Sequence, residues 1–548
     1  MLPVRDILID QVTKTYLDQL NMQALPPVKD LKEELYTRTI EMLVVTNSGL
    51  DKEAKMQLPT GLTENQIFQV ISKLYYVRRI ACSSANSSPD LDILAVYQPD
   101  GPDAGLYSDS SLVLRKLVRS FNLDIPQRGI QNIMDMLQES SPRVFRTEDP
   151  DLIAVNNGLF DYRTKTLKPF SPEYVFLSKS RVDYNPNATN VVIHNNDDGT
   201  DWDVESWMKE LSDDDEVVQL LWEILGAIVR PFVPWNKSAW FYSNKGNNGK
   251  GTLCALMRNL VGKDSYASIS LSDFGKDFML EPLIRSTAII VDENDVGIFI
   301  DKAANLKAVV TGDAIQINRK FKSPFAFQFR GFMVQCLNEL PRIKDRSDSF
   351  YRRQLFIPFE KCFTGHERKY IKADYLQRQD VLEYVLYRVL NMDFYALSEP
   401  QVCKDALEEY KEFNDPVLQF LTDILPQAQW DVIPYTFAYD LYKAWFRENA
   451  PSGKPQSRNT FLFDLKAALN AAGSSLGWYD GGKTRYRSSS TMIGPEPLIA
   501  KYDLTNWYNP NYMSGMNTDK KCTPQLKDFY SGIARYVSGG PSVSQDAD

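Results

Sequence analysis

Between residues 238 and 262 the order of residue types leaves little choice of local fold. The apolar run Ser238-Ala-Trp-Phe-Tyr242 has strand character, and Leu253 to Leu260 follow helical spacing until Gly262. Between them lies Ser243-Asn-Lys-Gly-Asn-Asn-Gly-Lys-Gly-Thr252. Strand, glycine-rich turn, lysine and helix is the order that a phosphate-cradling loop needs. Turn N–H groups point inward and the helix N-terminus adds its positive dipole end. Only small residues let a backbone approach a polyphosphate so closely. The candidate ATP-binding residues are Gly246, Asn248, Gly249, Lys250, Gly251 and Thr252. Two departures from G-x-x-x-x-G-K-[ST] matter. Asn244 replaces the first glycine, although asparagine tolerates left-handed backbone, and Gly251 delays the hydroxyl to Thr252. Thr252 is thus a candidate for Mg²⁺ or for a phosphate, and the spacing leaves both open.

A chain of 548 residues is too long for one core and predicts several domains. It has no run of 18 apolar residues and begins without a signal-peptide pattern, which predicts a cytoplasmic protein with no membrane partner. Six scattered cysteines with no C-x-x-C pair fit reduced thiols, and two histidines exclude a histidine metal cluster. The net charge of −9 is unevenly placed. Asp197 to Glu216 carries ten acids and one lysine, whereas Asp313 to Arg353 carries nine basic residues and four acids. A local basic surface matters more for phosphate contacts than the whole-chain average.

The predicted fold class is multidomain α/β. Residues 1–87 read as a helical N-terminal domain, with Glu64 to Ile80 as one helix, and 88–200 as a mixed domain in which Asn156-Asn157-Gly158 marks a tight turn. Residues 201–234 read as a helical collar with Val217, Leu220, Leu221, Ile224, Leu225 and Ile228 at helical spacing. Strands and helices alternate over 235–395, the expected ATPase core. Residues 396–530 predict a C-terminal winged-helix-like domain, in which Trp478 to Tyr486 forms a basic hairpin, and 531–548 a disordered tail.

Downstream of the loop, Ser286-Thr-Ala-Ile-Ile-Val-Asp292-Glu293 reads as a buried strand delivering two carboxylates to its C-terminal edge. Asp292 is the candidate Mg²⁺ ligand, directly or through water, and Glu293 the residue that polarises an attacking water. A second strand, Gly331 to Leu337, ends at Asn338, a candidate for orienting water or touching a γ-phosphate. Arg352 and Arg353 precede a third strand, and either is a candidate to stabilise transition-state charge, often from a neighbouring subunit. Between these elements, Ala314 to Phe329 reads as a hairpin with Arg319, Lys320 and Lys322 at its tip, candidates for gripping DNA phosphates.

The motifs Gly246-x-Asn248-Gly249-Lys250-Gly-Thr252, Asp292-Glu293, Thr311-Gly312-Asp313, Asn338-x-x-Pro341 and Phe350-x-Arg352-Arg353, in this order, resemble those of superfamily 3 helicases. The specific resemblance is to the phage and plasmid primase-helicases related to the poxvirus-type enzyme. Leu152-Ile-x-x-Asn156-Asn157-Gly158-Leu159 resembles the domain that precedes the ATPase there. The resemblance implies a P-loop, AAA+-like core and a hexameric ring that hydrolyses ATP with Mg²⁺. It also implies translocation on single-stranded DNA and unwinding of forked DNA during replication of a phage, plasmid or mobile element in a bacterial host cytoplasm. Relatives often carry a primase domain with paired aspartates and a histidine. The first 150 residues here hold no histidine and only Asp90-x-Asp92, which implies a primase absent or on another chain. Two alternatives stay open: an ATP-switched origin-binding initiator or loader, and a P-loop nucleotide kinase.

Overall fold

Parallel strands buried on both faces need near-continuous apolar runs, and five such runs build the central sheet of this protein. In the computed structural model, residues 4–22, 24–81, 88–320, 322–449 and 455–536 are described. The chain is a mixed α/β protein that divides into two units, 1–407 and 408–548. Among the described residues no helix is long and apolar enough to cross a membrane.

In the first unit the sheet runs in the order Tyr266–Ala267, Ala288–Val291, Phe332–Leu337, Ser238–Tyr242, Gln354–Pro358. Every pairing is parallel. The first strand in the chain thus sits beside the fourth and fifth, and the loop that follows it opens where the chain leaves for the far edge. Ligands in open α/β sheets bind outside the carboxyl ends of strands at such a reversal. Helix Asp215–Val229 lies in the same core as this sheet. Val217, Leu220, Leu221, Ile224, Leu225 and Ile228 are buried as the spacing predicts, but so are Val218, Trp222, Ala227 and Val229. A helix apolar all round is a core helix. The expected collar at 201–234 is therefore not a separate body.

The expected boundary at 87/88 also fails. Helices Val4–Gln19, Val28–Ser48 and Glu64–Leu74 share one core with Ser111–Phe121 and Gln127–Ser140. Thr63 and Gln66 form a capping box, and the Gln66 amide donates to the Thr13 and Thr39 hydroxyls at 3.2 and 3.0 Å. Helix Glu64–Leu74 stops before Ile80. Val77–Ile80, carrying Arg78 and Arg79, is a strand between Ile93–Tyr97 and Arg143–Val144. The β-forming residues Tyr75, Tyr76 and Val77 end the helical spacing there. Asn156 and Asn157 form the two-residue turn of the hairpin Leu152–Val155/Gly158–Asp161.

The second unit holds helices Pro416–Ile424, Tyr435–Asn449 and Arg458–Leu476 around a three-stranded antiparallel sheet. The sheet order is Val432–Pro434, Gly532–Arg535, Trp478–Asp480. Two expectations are corrected here. Trp478–Asp480 pairs with Arg535–Ile533, and Tyr486–Arg487 with Tyr530–Phe529, so the basic segment is one side of a ribbon whose other side is the chain end. Gly532–Arg535 is accordingly the middle strand, with Ile533 and Ala534 buried, and not a disordered tail. Residues 537–548 of that expected tail lie outside the described residues.

Candidate functional site

The loop after Tyr242 is shaped by two left-handed residues and one buried amide. Gly249 caps helix Lys250–Val261 at φ 88°, and Asn247 stands at φ 52°. A Cβ on Gly249 would lie 2.6 Å from Leu211 Cδ2, so conformation and space both require glycine. Around Gly246 a Cβ would meet nothing within 4 Å, which leaves that face of the loop open. Asn248 is buried; it donates to the Lys245 carbonyl at 2.6 Å and accepts from the Lys250 N–H at 3.4 Å. Its side chain closes the loop.

Lys250 is only 4% exposed, at the first turn of the helix. Its Nζ donates to the Leu337 carbonyl at 2.7 Å, to Asn338 Oδ1 at 2.9 Å and to the Ser243 carbonyl at 3.4 Å. Burial pushes the Lys250 ammonium below its ordinary pKa. No carboxylate is among these partners. A buried cation held by neutral dipoles at a helix N-terminus is suited to an anion. Beneath it, the Cys254 and Cys336 thiols lie 3.4 Å apart, where the helix meets the Asn338-bearing strand.

The carboxylates come from the neighbouring strand tip. Asn294 is buried and draws this tip against the next strand, donating to Gln335 Oε1 at 2.9 Å and to the Cys336 carbonyl at 3.0 Å. Glu339 accepts from the Gly297 N–H at 3.1 Å, tying the two following loops together. Glu293 is exposed at this edge. Asp292 is engaged: both of its oxygens accept from Arg258, at 2.8 and 3.0 Å. That guanidinium holds the Asp292 carboxyl below its ordinary pKa, and the arginine is raised in turn. Asp292 in this arrangement does not fit a directly held metal. Among the described residues no group of three His, Cys, Asp or Glu side chains could hold one.

Lys250 and Asn338 are therefore in contact, with the Asp292-Glu293 tip on the adjoining strand. Arg352 and Arg353 are elsewhere. Gln354 pairs with Ser238 at the start of the parallel strands, so the arginines stand at the opposite end of the sheet from the loop. Five residues at about 3.3 Å each separate the two ends by roughly 15 Å. Arg352 is exposed, whereas Arg353 donates to the Ser349 carbonyl and, at 2.8 Å, to its hydroxyl. The hairpin forms as Ala314–Arg319 against Lys322–Gln328, with Ile315, Ile317, Phe325 and Phe327 buried. Lys320 is exposed at the turn, while the Arg319 guanidinium lies 4.5 Å over the Phe325 ring. Phe321 and the side chain of Lys322 lie outside the described residues.

Several residues beside the loop carry no motif. An open groove is lined by Trp207, Asn247, Gly249, Thr252, Phe363 and Lys372, among others. Lys372 Nζ would lie 3.8 Å from a Cβ on Gly251. The Phe363 N–H donates to the Asn247 carbonyl at 2.7 Å, and Asn247 donates to Glu367 at 3.1 Å. Here the acidic run finds partners: Glu210 pairs with Arg368, Asp213 with Lys361, and Asp198 accepts from the Tyr370 hydroxyl at 2.7 Å. The one available signal in sequence is the basic stretch Arg368-Lys369-Tyr-Ile-Lys372. Arg258 carries no signal, because its partner is 34 residues away.

Three family models match parts of the chain. One described as D5 N terminal like covers residues 124–213, a family of unknown function covers 241–353, and one described as Poxvirus D5 protein-like covers 412–503. The chain is 26% identical over 242 residues to "Putative helicase 121R" of Invertebrate iridescent virus 3, covering 40% of this chain and 24% of that protein. It is 25% identical over 276 residues to "Putative helicase L207/L206" of Acanthamoeba polyphaga mimivirus, covering 46% and 26%. The matched part thus spans about a quarter of the length of these curated relatives. Among solved structures, the apo NrS-1 C-terminal region aligns with 77% of this chain and 88% of that one, at 13% identity and a TM-score of 0.38.

Proposed function

We propose that this chain, parts of which match D5 N terminal like and Poxvirus D5 protein-like models and which resembles viral proteins named putative helicases, is an ATP-dependent DNA helicase of superfamily 3. The 235–395 region is then an AAA+-like P-loop core. In this reading copies of the chain form a homohexameric ring, translocate on single-stranded DNA and open forks during replication of a mobile element in a host cytoplasm. The observation that carries the proposal is the contact between Lys250 Nζ and Asn338 Oδ1 at the open end of the sheet.

The loop fits a triphosphate: its glycines leave room, Lys250 brings a buried positive charge, and the helix dipole adds to it. Lys372 and the aromatic wall of Trp207 and Phe363 extend that fit toward the rest of a nucleotide. Mg²⁺ bound with the triphosphate would neutralise charge on the β- and γ-oxygens. We assign Thr252 to hold it, with Asp292 acting through water because its oxygens are occupied by Arg258. Glu293 orients and polarises the attacking water, and Asn338, released from Lys250 as the lysine turns to phosphate, takes up the γ-phosphate. Arg352 of an adjacent copy completes the charge stabilisation, since Arg353 is held by Ser349.

The test is Glu293→Gln assayed on forked DNA. Hydrolysis and strand separation are both expected to fall by about 10² or more, with nucleotide binding retained. Unwinding at the wild-type rate would sink the mechanism. Nucleotide-dependent assembly without unwinding, in the unaltered protein, would favour the initiator or loader.

A further inference from the structure

Beneath the loop, two thiols take no part in the chemistry proposed above. Cys254 lies one helical turn after Lys250, on the same face of helix Lys250–Val261. Cys336 lies two residues before Asn338, on the same side of its strand. Helix and strand therefore touch twice. Lys250 Nζ meets Asn338 Oδ1 at 2.9 Å, and beneath that contact the Cys254 and Cys336 sulfurs lie 3.4 Å apart. Both cysteines are free and buried. Any two small apolar side chains would fill this space, but two thiols add a bond that can form and break.

The Cys254 thiol and burial together push Cys336 well above its ordinary pKa, with the Lys250 ammonium opposing them. An isolated thiol so placed is inert. A pair in contact differs, because the first oxidation product is captured where it forms. Hydrogen peroxide, scarcely larger than water, needs only local opening to enter. It places one oxygen on one sulfur, giving a sulfenic acid, and its other oxygen leaves as water. The second thiol then attacks that sulfur and forms the S–S bond. The displaced hydroxyl leaves as a second water with the attacking thiol's proton. Two thiols and one peroxide thus give one disulfide and two waters. At 3.4 Å the second thiol meets the sulfenic sulfur before more peroxide does.

We propose that Cys254 and Cys336 form a reversible disulfide on exposure to a hydroperoxide, and that this bond holds Lys250 against Asn338 and weakens nucleotide binding. The bond draws the sulfurs from 3.4 Å to about 2 Å. It ties the first turn of the lysine-bearing helix to the strand that ends at Asn338. The proposed hydrolysis needs the opposite movement, in which Lys250 leaves Asn338 and turns to phosphate. The effect on nucleotide rests on that reading; formation of the bond does not. Burial makes the oxidation slow, so the pair answers sustained exposure to oxidant and ignores a brief one.

The test is prolonged treatment of the full chain with hydrogen peroxide, in a Cys362→Ser background. Cys362 is exposed, and its hydrogen bond to Thr364 holds the thiol below its ordinary pKa, so it would otherwise react first. Peptide mapping without reductant is expected to show Cys254 joined to Cys336. Anisotropy of a fluorescent ATP analogue should show binding weakened by about tenfold or more. Dithiothreitol should reverse both changes, whereas over-oxidised sulfinic acid would not recover. Cys254→Ala and, separately, Cys336→Ala should each bind the analogue like the reduced chain, before and after peroxide. Two independent variants keep the test open if one fails to fold. Three results would each overturn the proposal: no linked peptide, a linked peptide with unchanged binding, or an equal peroxide-induced loss in the alanine variants. If the reduced chain bound no nucleotide, the helicase reading would fail, and the linked peptide alone would decide whether the pair is oxidised.

Discussion

The two ends of the five-stranded sheet are built differently. At the carboxyl end, side chains converge: Lys250 reaches Asn338, Asn294 spans to Gln335 and Cys336, and Arg258 grips Asp292. At the amino end, Arg353 is folded back onto Ser349 and Arg352 is left exposed. The carboxyl end gathers a buried lysine, an amide and two carboxylates, and the amino end presents an exposed arginine. A strand of five residues is rigid, so no side-chain movement closes the roughly 15 Å between them. On the proposed helicase reading, each chain carries two halves of different sites, which a head-to-tail neighbour would join.

The sharpest way to break this comparison is to remove the exposed arginine. Arg352→Ala is expected to lower DNA-stimulated ATP hydrolysis by about 10³ with nucleotide binding little changed, because the loss falls on the transition state. Arg353→Ala should lower the melting temperature as well, since its guanidinium donates to the Ser349 carbonyl and, at 2.8 Å, to the Ser349 hydroxyl. Lys250→Ala should cost about 10² or more in hydrolysis and, unlike Arg352→Ala, weaken nucleotide binding too. Mixing the two inactive chains in equal amounts then gives a decisive reading. About a quarter of randomly formed head-to-tail interfaces would combine an intact loop with an intact arginine. Hydrolysis recovering toward that level supports sites shared between chains; no recovery means the arginine does not act across an interface.

The hairpin lies between the extremes. Lys320→Ala with Lys322→Ala is expected to leave DNA-free hydrolysis near the wild-type rate and to reduce unwinding about tenfold, because the proposed reading assigns these lysines the phosphate contacts that couple the two. Coupled loss of both activities would place the hairpin in the hydrolytic site instead. Arg319→Ala should act differently from the lysines. Its guanidinium covers Phe325, so the change exposes the hairpin core and is expected to lower stability.

What the residues alone reveal about this site follows distance along the chain. The loop, its helix and the strand endings at Asp292 and Asn338 are local patterns, and each is readable without knowing its neighbours. Which end of the sheet holds Arg352 depends on strand direction and order, and no spacing in the sequence encodes that. The ribbon shows the same limit. Trp478 to Tyr486 has the composition of a hairpin, yet its partner strands begin at Phe529, about forty residues on, because an intervening excursion is tethered by pairings such as Arg487 with Phe529. The acidic run likewise reads as a solvated face until Glu210 and Asp213 meet Arg368 and Lys361. Long-range pairing is where composition stops being informative.

The smallest expected effect tests the occupied carboxylate at the convergent end. Arg258 holds Asp292 below its ordinary pKa, so the folded state binds that proton less readily than the unfolded chain does. The resulting stability is fully present above the unfolded carboxylate value of about 4 and is lost as pH falls through the lowered folded value. With the Asp292 side chain 39% exposed, screening limits the pair to about 1 kcal/mol or less. Urea unfolding of Arg258→Ala should therefore show a small deficit against the wild type at pH 7 that narrows below pH 4. A deficit independent of pH would mean that Arg258 acts through packing on Tyr266, whose ring lies 5.5 Å from its guanidinium, and not through Asp292. The same variant also asks whether the pairing excludes metal from Asp292. Freed of the arginine, the carboxylate could bind Mg²⁺ directly, and the Mg²⁺ concentration needed for half-maximal hydrolysis should fall, whereas removing a merely structural pair would leave it unchanged or raise it.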